Sequence, residues 1–288
     1  MTSKNIKKAL NSKLSDWMKS VDGEEVKKLI VSNTIITGGA IVSMLTGEEV
    51  HDYDVYFRTK EAARKVAEYY VAKFNPAHKC QADVREDEKT GRIAVFIQSA
   101  GVAGEIDDES EPIVPEEVDP QEAKEPEVKA KYRTVYLSSN AITLSDKIQI
   151  VIRFYGEPEE IHKNYDFVHC TCVWTSWDNK LELPSRALEA IINKELYYMG
   201  SKYPLCSIIR SRKFISRGYT INAGQYLKMA LQLNEFNLHD IEVLKDQLVG
   251  VDSAYFMAAI ESIQKKQTNE PGWEIDNNYL FEVINRIF

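Results

Sequence analysis

Residues 37–57, TGGAIVSMLTGEEVHDYDVYF, constrain the fold more than any other stretch of this chain. Gly38 and Gly39 stand directly before a compact apolar turn of helix that Gly47 closes, and HDYDVYF has the alternation and aromatic content of a strand. Two glycines at that place let the backbone approach a phosphate chain, toward which the helix N-terminus turns unpaired N–H groups and a partial positive charge. Asp52 and Asp54 are two apart on the predicted strand, so they project from one face. Adjacent carboxylates repel unless a cation lies between them, and a hard divalent ion that also touches a triphosphate is the usual solution. Gly38, Gly39, Asp52 and Asp54 are therefore candidate site residues, with Mg2+ (or Mn2+) as cofactor and a nucleoside triphosphate (NTP) as substrate.

The flanking sequence predicts what surrounds this segment. Ile6, Leu10, Leu14, Trp17 and Met18 recur at helical spacing in the first thirty residues, and IVSNTIITGG leads into a short strand or helix ending at Gly38. TKEAARKVAEYYVAKF reads as a helix that stops at Asn75-Pro76. GRIAVFIQSA, YRTVYLSSNAITL, KIQIVIRFYG and DFVHCTCVW read as strands, with a short helix in EPEEIHKNY. From Pro184 onward the periodicity is helical. The pattern predicts an α+β protein: a mixed-sheet domain over 1–180, then a helical domain over 181–288.

Charge is distributed unevenly. Residues 104–130 hold eleven acids, two lysines and four of the nine prolines, a local charge of −9, so the remainder of this −8 chain carries +1. Such a segment has too little apolar surface to offset ordering, which predicts an exposed, mobile insertion. Cys80, Cys170, Cys172 and Cys206 form no CxxC pair, as expected of reduced thiols in a cytosol-like compartment. MTSKNIKKAL lacks the apolar run of a signal peptide and no stretch has the length of a membrane span, so the expected location is cytoplasmic, the host cytoplasm if the chain is viral, with no membrane partner.

In the order Gly-Gly, short helix, strand-borne D-x-D, residues 38–54 resemble the signature of the DNA polymerase β-like nucleotidyltransferases, above all the type in poly(A) polymerases and CCA-adding enzymes. The run IQIVIRFYGEPEEIHKNYDFVHCTCVW resembles nucleotidyltransferase-like proteins of bacteriophages and large DNA viruses. The resemblance implies a mixed-sheet nucleotidyltransferase head with a C-terminal helical domain. It also implies a third carboxylate on a neighbouring strand, completing a two-ion site that moves a nucleoside monophosphate to a hydroxyl acceptor with release of pyrophosphate. Asp166, which opens an apolar run, is the candidate; Asp146 and Asp83 compete and read more simply as a turn and a surface residue.

The helical half implied by the resemblance would contact base, ribose or phosphates. SIIRSRKFISRGYTI supplies Arg210, Arg212, Lys213 and Arg217, of which Arg210, Lys213 and Arg217 are taken as nucleotide-binding candidates, with Phe214 and Tyr219 either stacking on a base or lying in the core. A solvated helix face accounts for the same cations equally well. His169, Cys170 and Cys172 read as buried strand residues rather than zinc ligands, and His51 and His162 as surface or loop residues. The chain departs from the resemblance in AIVSMLTG, which lacks the Arg-Asp pair that follows the Gly-Gly helix in CCA-adding enzymes. The acceptor stays open between an RNA end, a protein and a small molecule. The alternative is a catalytically silent binding or structural module, such as a phage would carry.

Overall fold

The structure is a computed structural model that describes residues 1–78, 81–86, 91–98, 131–247, 268–269 and 277–287. The acidic segment 104–130 and Cys80 lie outside the described residues. The chain divides into two compact units, the first comprising Met1–His162 and Cys170–Pro184, the second Lys163–His169 and Ser185–Phe288.

The first unit begins with two helices where the sequence suggested one helical stretch. Helix α1 (Ser3–Lys19) is capped by the Thr2 hydroxyl and buries the expected stripe Ile6, Leu10, Leu14 and Trp17, and Gly23 separates it from α2 (Glu24–Asn33). Strand β1 (Thr34–Thr37) leads into α3 (Gly39–Thr46), which Gly47 ends in the left-handed conformation. Strand β2 (Tyr53–Phe57) and α4 (Lys60–His78) follow. Helix α4 runs through Pro76 rather than stopping before it. One missing hydrogen bond in a last turn costs little, and the Asn75 amide exchanges two 2.8 Å bonds with the backbone of Ala82, securing the exit.

That exit leads to β3 (Gln81–Glu86), which pairs with β4 (Ile93–Gln98) as a two-stranded sheet. The main sheet adds β5 (Thr134–Leu137), β6 (Ala141–Leu144), β7 (Ile148–Tyr155), β8 (Val173–Thr175) and β9 (Lys180–Glu182), in the order β5-β6-β7-β2-β1-β8-β9. All its pairings are antiparallel except β2 with β7, so the sheet is mixed. One face of β7, Ile148, Ile150 and Ile152, is fully buried, whereas Gln149, Val151 and Arg153 on the other are half-buried. The Trp17 indole donates to the Tyr70 hydroxyl at 2.6 Å, tying α1 to α4.

DFVHCTCVW is not one strand. Lys163–His169 belongs to the second unit and Cys170–Pro184 to the first. The chain therefore changes unit inside this run, and the switch is made by a 3₁₀ turn (Val168–Thr171) that leaves only Val173–Thr175 extended. The second unit contains α6 (Ser185–Asn193), α7 (Pro204–Ile215), α8 (Ala223–Leu233), α9 (Ile241–Gln247) and α10 (Asn277–Ile287), the short α5 (Pro158–His162) lying in the first. The architecture is α+β: a mixed sheet followed by helices. Among the described residues no helix is long and apolar enough to cross a membrane.

Candidate functional site

Strand register decides what stands beside the D-x-D acids. Asp54 pairs with Thr37 on β1 and with Gln149 on β7, and Gln149 pairs in turn with Thr143 on β6. Residues opposite one another in a sheet share a face. The row Thr143, Gln149, Asp54, Thr37 therefore crosses the sheet on one side and continues through Val173 to Glu182 on β9, three strands from Asp54, so the residues directly beside Asp54 are an amide and a hydroxyl. Asp52 lies just before β2 and is exposed, so it flanks the strand rather than belonging to it, while Asp54 is half-buried. Neither neighbouring strand, TIIT nor IQIVIRFY, contains an acid.

The turn before α3 is held from three sides. Gly38 sits at φ 79°, ψ −144°, a region open in practice to glycine alone, and its N–H donates to the Cys170 carbonyl at 3.1 Å. The buried Thr37 hydroxyl donates to the Cys172 carbonyl at 2.8 Å. The same hydroxyl is hydrogen-bonded to His162 Nε2 at 2.9 Å. Burial lowers the His162 pKa, opposed by Glu159 and Glu182. His162 is thus an internal support of the Gly-Gly turn, not the surface residue its sequence context suggested. Gly39 differs from Gly38: it is exposed, and a Cβ there would meet nothing within 4 Å.

Cys170, Cys172 and Cys206 are not joined in disulfides. Burial pushes the Cys172 thiol up to about 12, so it stays protonated and unreactive.

Asp166 belongs to the second unit, buried, where its carboxylate forms an ion pair with Arg210 and its carbonyl accepts from Met199 N–H at 2.8 Å. It precedes a 3₁₀ turn rather than opening a strand. Of its competitors, Asp146 occupies the β6–β7 turn at φ 61° and accepts from Tyr132 N–H, and Asp83 is exposed on β3 beside Arg85. Among the described residues no three His, Cys, Asp or Glu side chains are grouped so as to hold a metal ion. On the two strands that adjoin β2, an amide (Gln149) and a hydroxyl (Thr37) stand in register with Asp54.

Phe214 and Tyr219 pack around the buried His169, with ring centroids 4.5 and 4.8 Å from the imidazole, in a cluster with Phe167, Leu196, Tyr198 and Met229. They are core, the second of the two readings their spacing allowed. Arg212, Lys213 and Arg217 are exposed, whereas Arg210 is engaged by Asp166. Gln149 was not a candidate from the sequence; the signal was a polar residue between two isoleucines.

A family model described as "Gabija anti-defense 2 family protein" matches residues 8–194, which include Gly38, Asp52, Asp54, Gln149 and Asp166 and end before α7. The chain belongs to that family. Gabija anti-defense 2 of Bacillus phage SPbetaL7 is 21% identical over 232 residues, covering 80% of this chain and 44% of that protein. The chain thus spans less than half the length of this curated relative. Solved structures similar to it include the CCA-adding enzyme of Thermotoga maritima complexed with tRNA (13% identity, 87% of this chain and 54% of that one, TM-score 0.39). A CCA-adding enzyme with ATP is another (12% identity, 88% of this chain and 52% of that one, TM-score 0.41).

Proposed function

We propose that this chain is a phage counter-defence protein in which a nucleotidyltransferase-like head serves as a catalytically silent binding module. The observation that carries the reading is the register: Gln149 and Thr37 flank Asp54, and no acid lies on either adjoining strand. An amide is a neutral ligand and cannot accept a proton from an acceptor hydroxyl, so the arrangement lacks both the charge and the base that nucleotidyl transfer draws on. The Gly38 turn and the Asp52/Asp54 pair are what a bound NTP would need, the two acids holding one magnesium or manganese ion that neutralises its phosphates. Counter-defence is proposed from family membership; the site of action would be the host cytoplasm.

The test is incubation of the purified protein with each α-labelled NTP, Mg2+ or Mn2+, and total host RNA and protein. The reading expects no label transfer and no pyrophosphate release, with NTP-induced thermal stabilisation lost in the Asp52→Ala/Asp54→Ala variant. Label transfer that requires Asp52, Asp54 and Asp166 would overturn it in favour of an active transferase with Asp166 as third ligand. For the biological role, expression of the chain should restore plaque formation on a Gabija-bearing host, and the Asp166→Ala variant should do so whenever it folds.

A further inference from the structure

Between Glu195 and Glu235 the chain has no acidic residue, yet it carries Lys202, Arg210, Arg212, Lys213, Arg217 and Lys228 in a protein of net charge −8. This stretch includes α7 and α8. Arg210 is neutralised by Asp166. Lys213 and Arg217 are exposed at the end of α7, and Lys194 joins them from the end of α6: its ammonium donates to the Arg217 carbonyl at 3.2 Å.

The turn that holds these three cations is rigid. Lys194 adopts φ 49°, a left-handed conformation that disfavours a lysine, and its carbonyl accepts from both the N–H (2.7 Å) and hydroxyl (3.3 Å) of Thr220. Arg217 N–H donates to Phe214 at 3.0 Å, Gly218 N–H to Ile215 at 2.9 Å, and the Ser216 hydroxyl to Lys213 at 2.8 Å. Tyr219 anchors the far side in the core. Among the described residues no carboxylate lies within ion-pair distance of Lys194, Lys213 or Arg217. The acid next in sequence, Glu195, accepts instead from Tyr197 and Asn222.

A cation in the last turn of a helix offsets its dipole, which accounts for Lys213. It does not account for Arg217, beyond the Ser216 cap, or for an ammonium fixed against that residue's own carbonyl. Uncompensated like charges held on a rigid turn raise the local potential and attract a polyanion. We infer that Lys194, Lys213 and Arg217 form a docking surface for the phosphodiester backbone of a nucleic acid. Two exposed cations, Lys213 and Arg217, with the half-buried Lys194 beside them, suit repeated phosphates better than one enclosed anion. Phe214 and Tyr219 are spent on the core around His169 and do not offer their faces to a base, so binding through these cations is independent of sequence. The surface does not depend on Asp52 or Asp54.

The experiment is fluorescence anisotropy with labelled duplex DNA, single-stranded DNA and single-stranded RNA of one length, titrated from 50 to 200 mM salt. Three neutralised phosphates give a log–log salt slope of about −2.7 on duplex and about −2.1 on single strands, so duplex binding weakens roughly 40-fold over that range. Lys213→Glu/Arg217→Glu should abolish binding, Lys194→Gln should reduce the slope by about one, and Lys4→Glu/Lys8→Glu on α1 should leave it unchanged, with far-UV circular dichroism the same throughout. The tightest arm names the nucleic acid. No binding in any arm at 50 mM salt, equal loss in the α1 variant, or equally tight binding of polyglutamate would overturn the inference.

Discussion

Replacing each glycine of the Gly38-Gly39 pair by alanine should separate scaffold from ligand contact. Gly38 lies at φ 79°, ψ −144°, where a Cβ is strained whatever the space around it. That strain is about 1–3 kcal/mol for a residue held in such a region, and relief by rotation would break the Gly38 N–H bond to Cys170, which is worth about 1 kcal/mol. Gly38→Ala should therefore cost roughly 1–3 kcal/mol, as retained strain or as the lost bond, and lower the melting temperature by roughly 2–10 °C. Gly39 is the first residue of α3, and an added Cβ meets nothing within 4 Å, so Gly39→Ala should be neutral or stabilise by up to about 1 kcal/mol through the unfolded chain. The same open space is where a phosphate chain would approach, so Gly39→Ala should weaken NTP-induced stabilisation without loss of fold. Urea unfolding and thermal melts with and without NTP and Mg2+ measure both. Equal destabilisation by the two substitutions, or undiminished NTP binding by a well-folded Gly39→Ala variant, would refute this division of roles.

Three further outcomes follow from the geometry. Burial, aided by the Arg217 charge, lowers His169 from 6.5 to about 4, so between those values the unfolded chain binds the proton and the folded chain does not. The contribution is intact above pH 6.5 and lost as pH falls toward 4, up to about 3 kcal/mol, and His169→Phe should flatten the urea-derived stability profile across that window alone; superimposable slopes would exclude it. Gln149→Glu would set a further carboxylate across the ladder from Asp54, costing up to about 1 kcal/mol without metal, and Mn2+ should raise the melting temperature of the variant more than that of the wild type; a variant no more responsive to Mn2+ than the wild type would contradict the register argument. In the Asp166–Arg210 pair, Arg210→Met leaves a buried carboxylate uncompensated and should cost about 3 kcal/mol, whereas Asp166→Asn leaves a partly exposed guanidinium that water can reach and should cost about 1 kcal/mol; the reverse order in chemical denaturation would show that Arg210 is not there to neutralise Asp166.

Much of the first unit was legible because its signals are local. The apolar stripe of α1, the Gly47 stop, the strand character of DYDVYF and the isoleucines of β7 each rest on a period or a cap that neighbouring residues complete. Strand β3 was missed because QADVRE offers only Ala82 and Val84 as an inward pair, too short an alternation to stand out from a polar connection. Proline 76 suggested an end to α4 that the Asn75–Ala82 bonds override, and the β-rich run after Asp166 concealed a change of unit.

By itself the sequence determined the elements: which segments bury a stripe, where glycine must bend the chain, and that two aspartates lie next to one strand. What it could not determine was register, since Asp54 and Gln149 meet only because β2 pairs in parallel with a strand that begins beyond the acidic segment. Backbone hydrogen bonding is indifferent to side-chain identity, so no local pattern names the partner across a ladder. The tertiary structure alone decided that an amide stands beside Asp54, that Arg210 neutralises Asp166, and that Lys194 stands with Arg217.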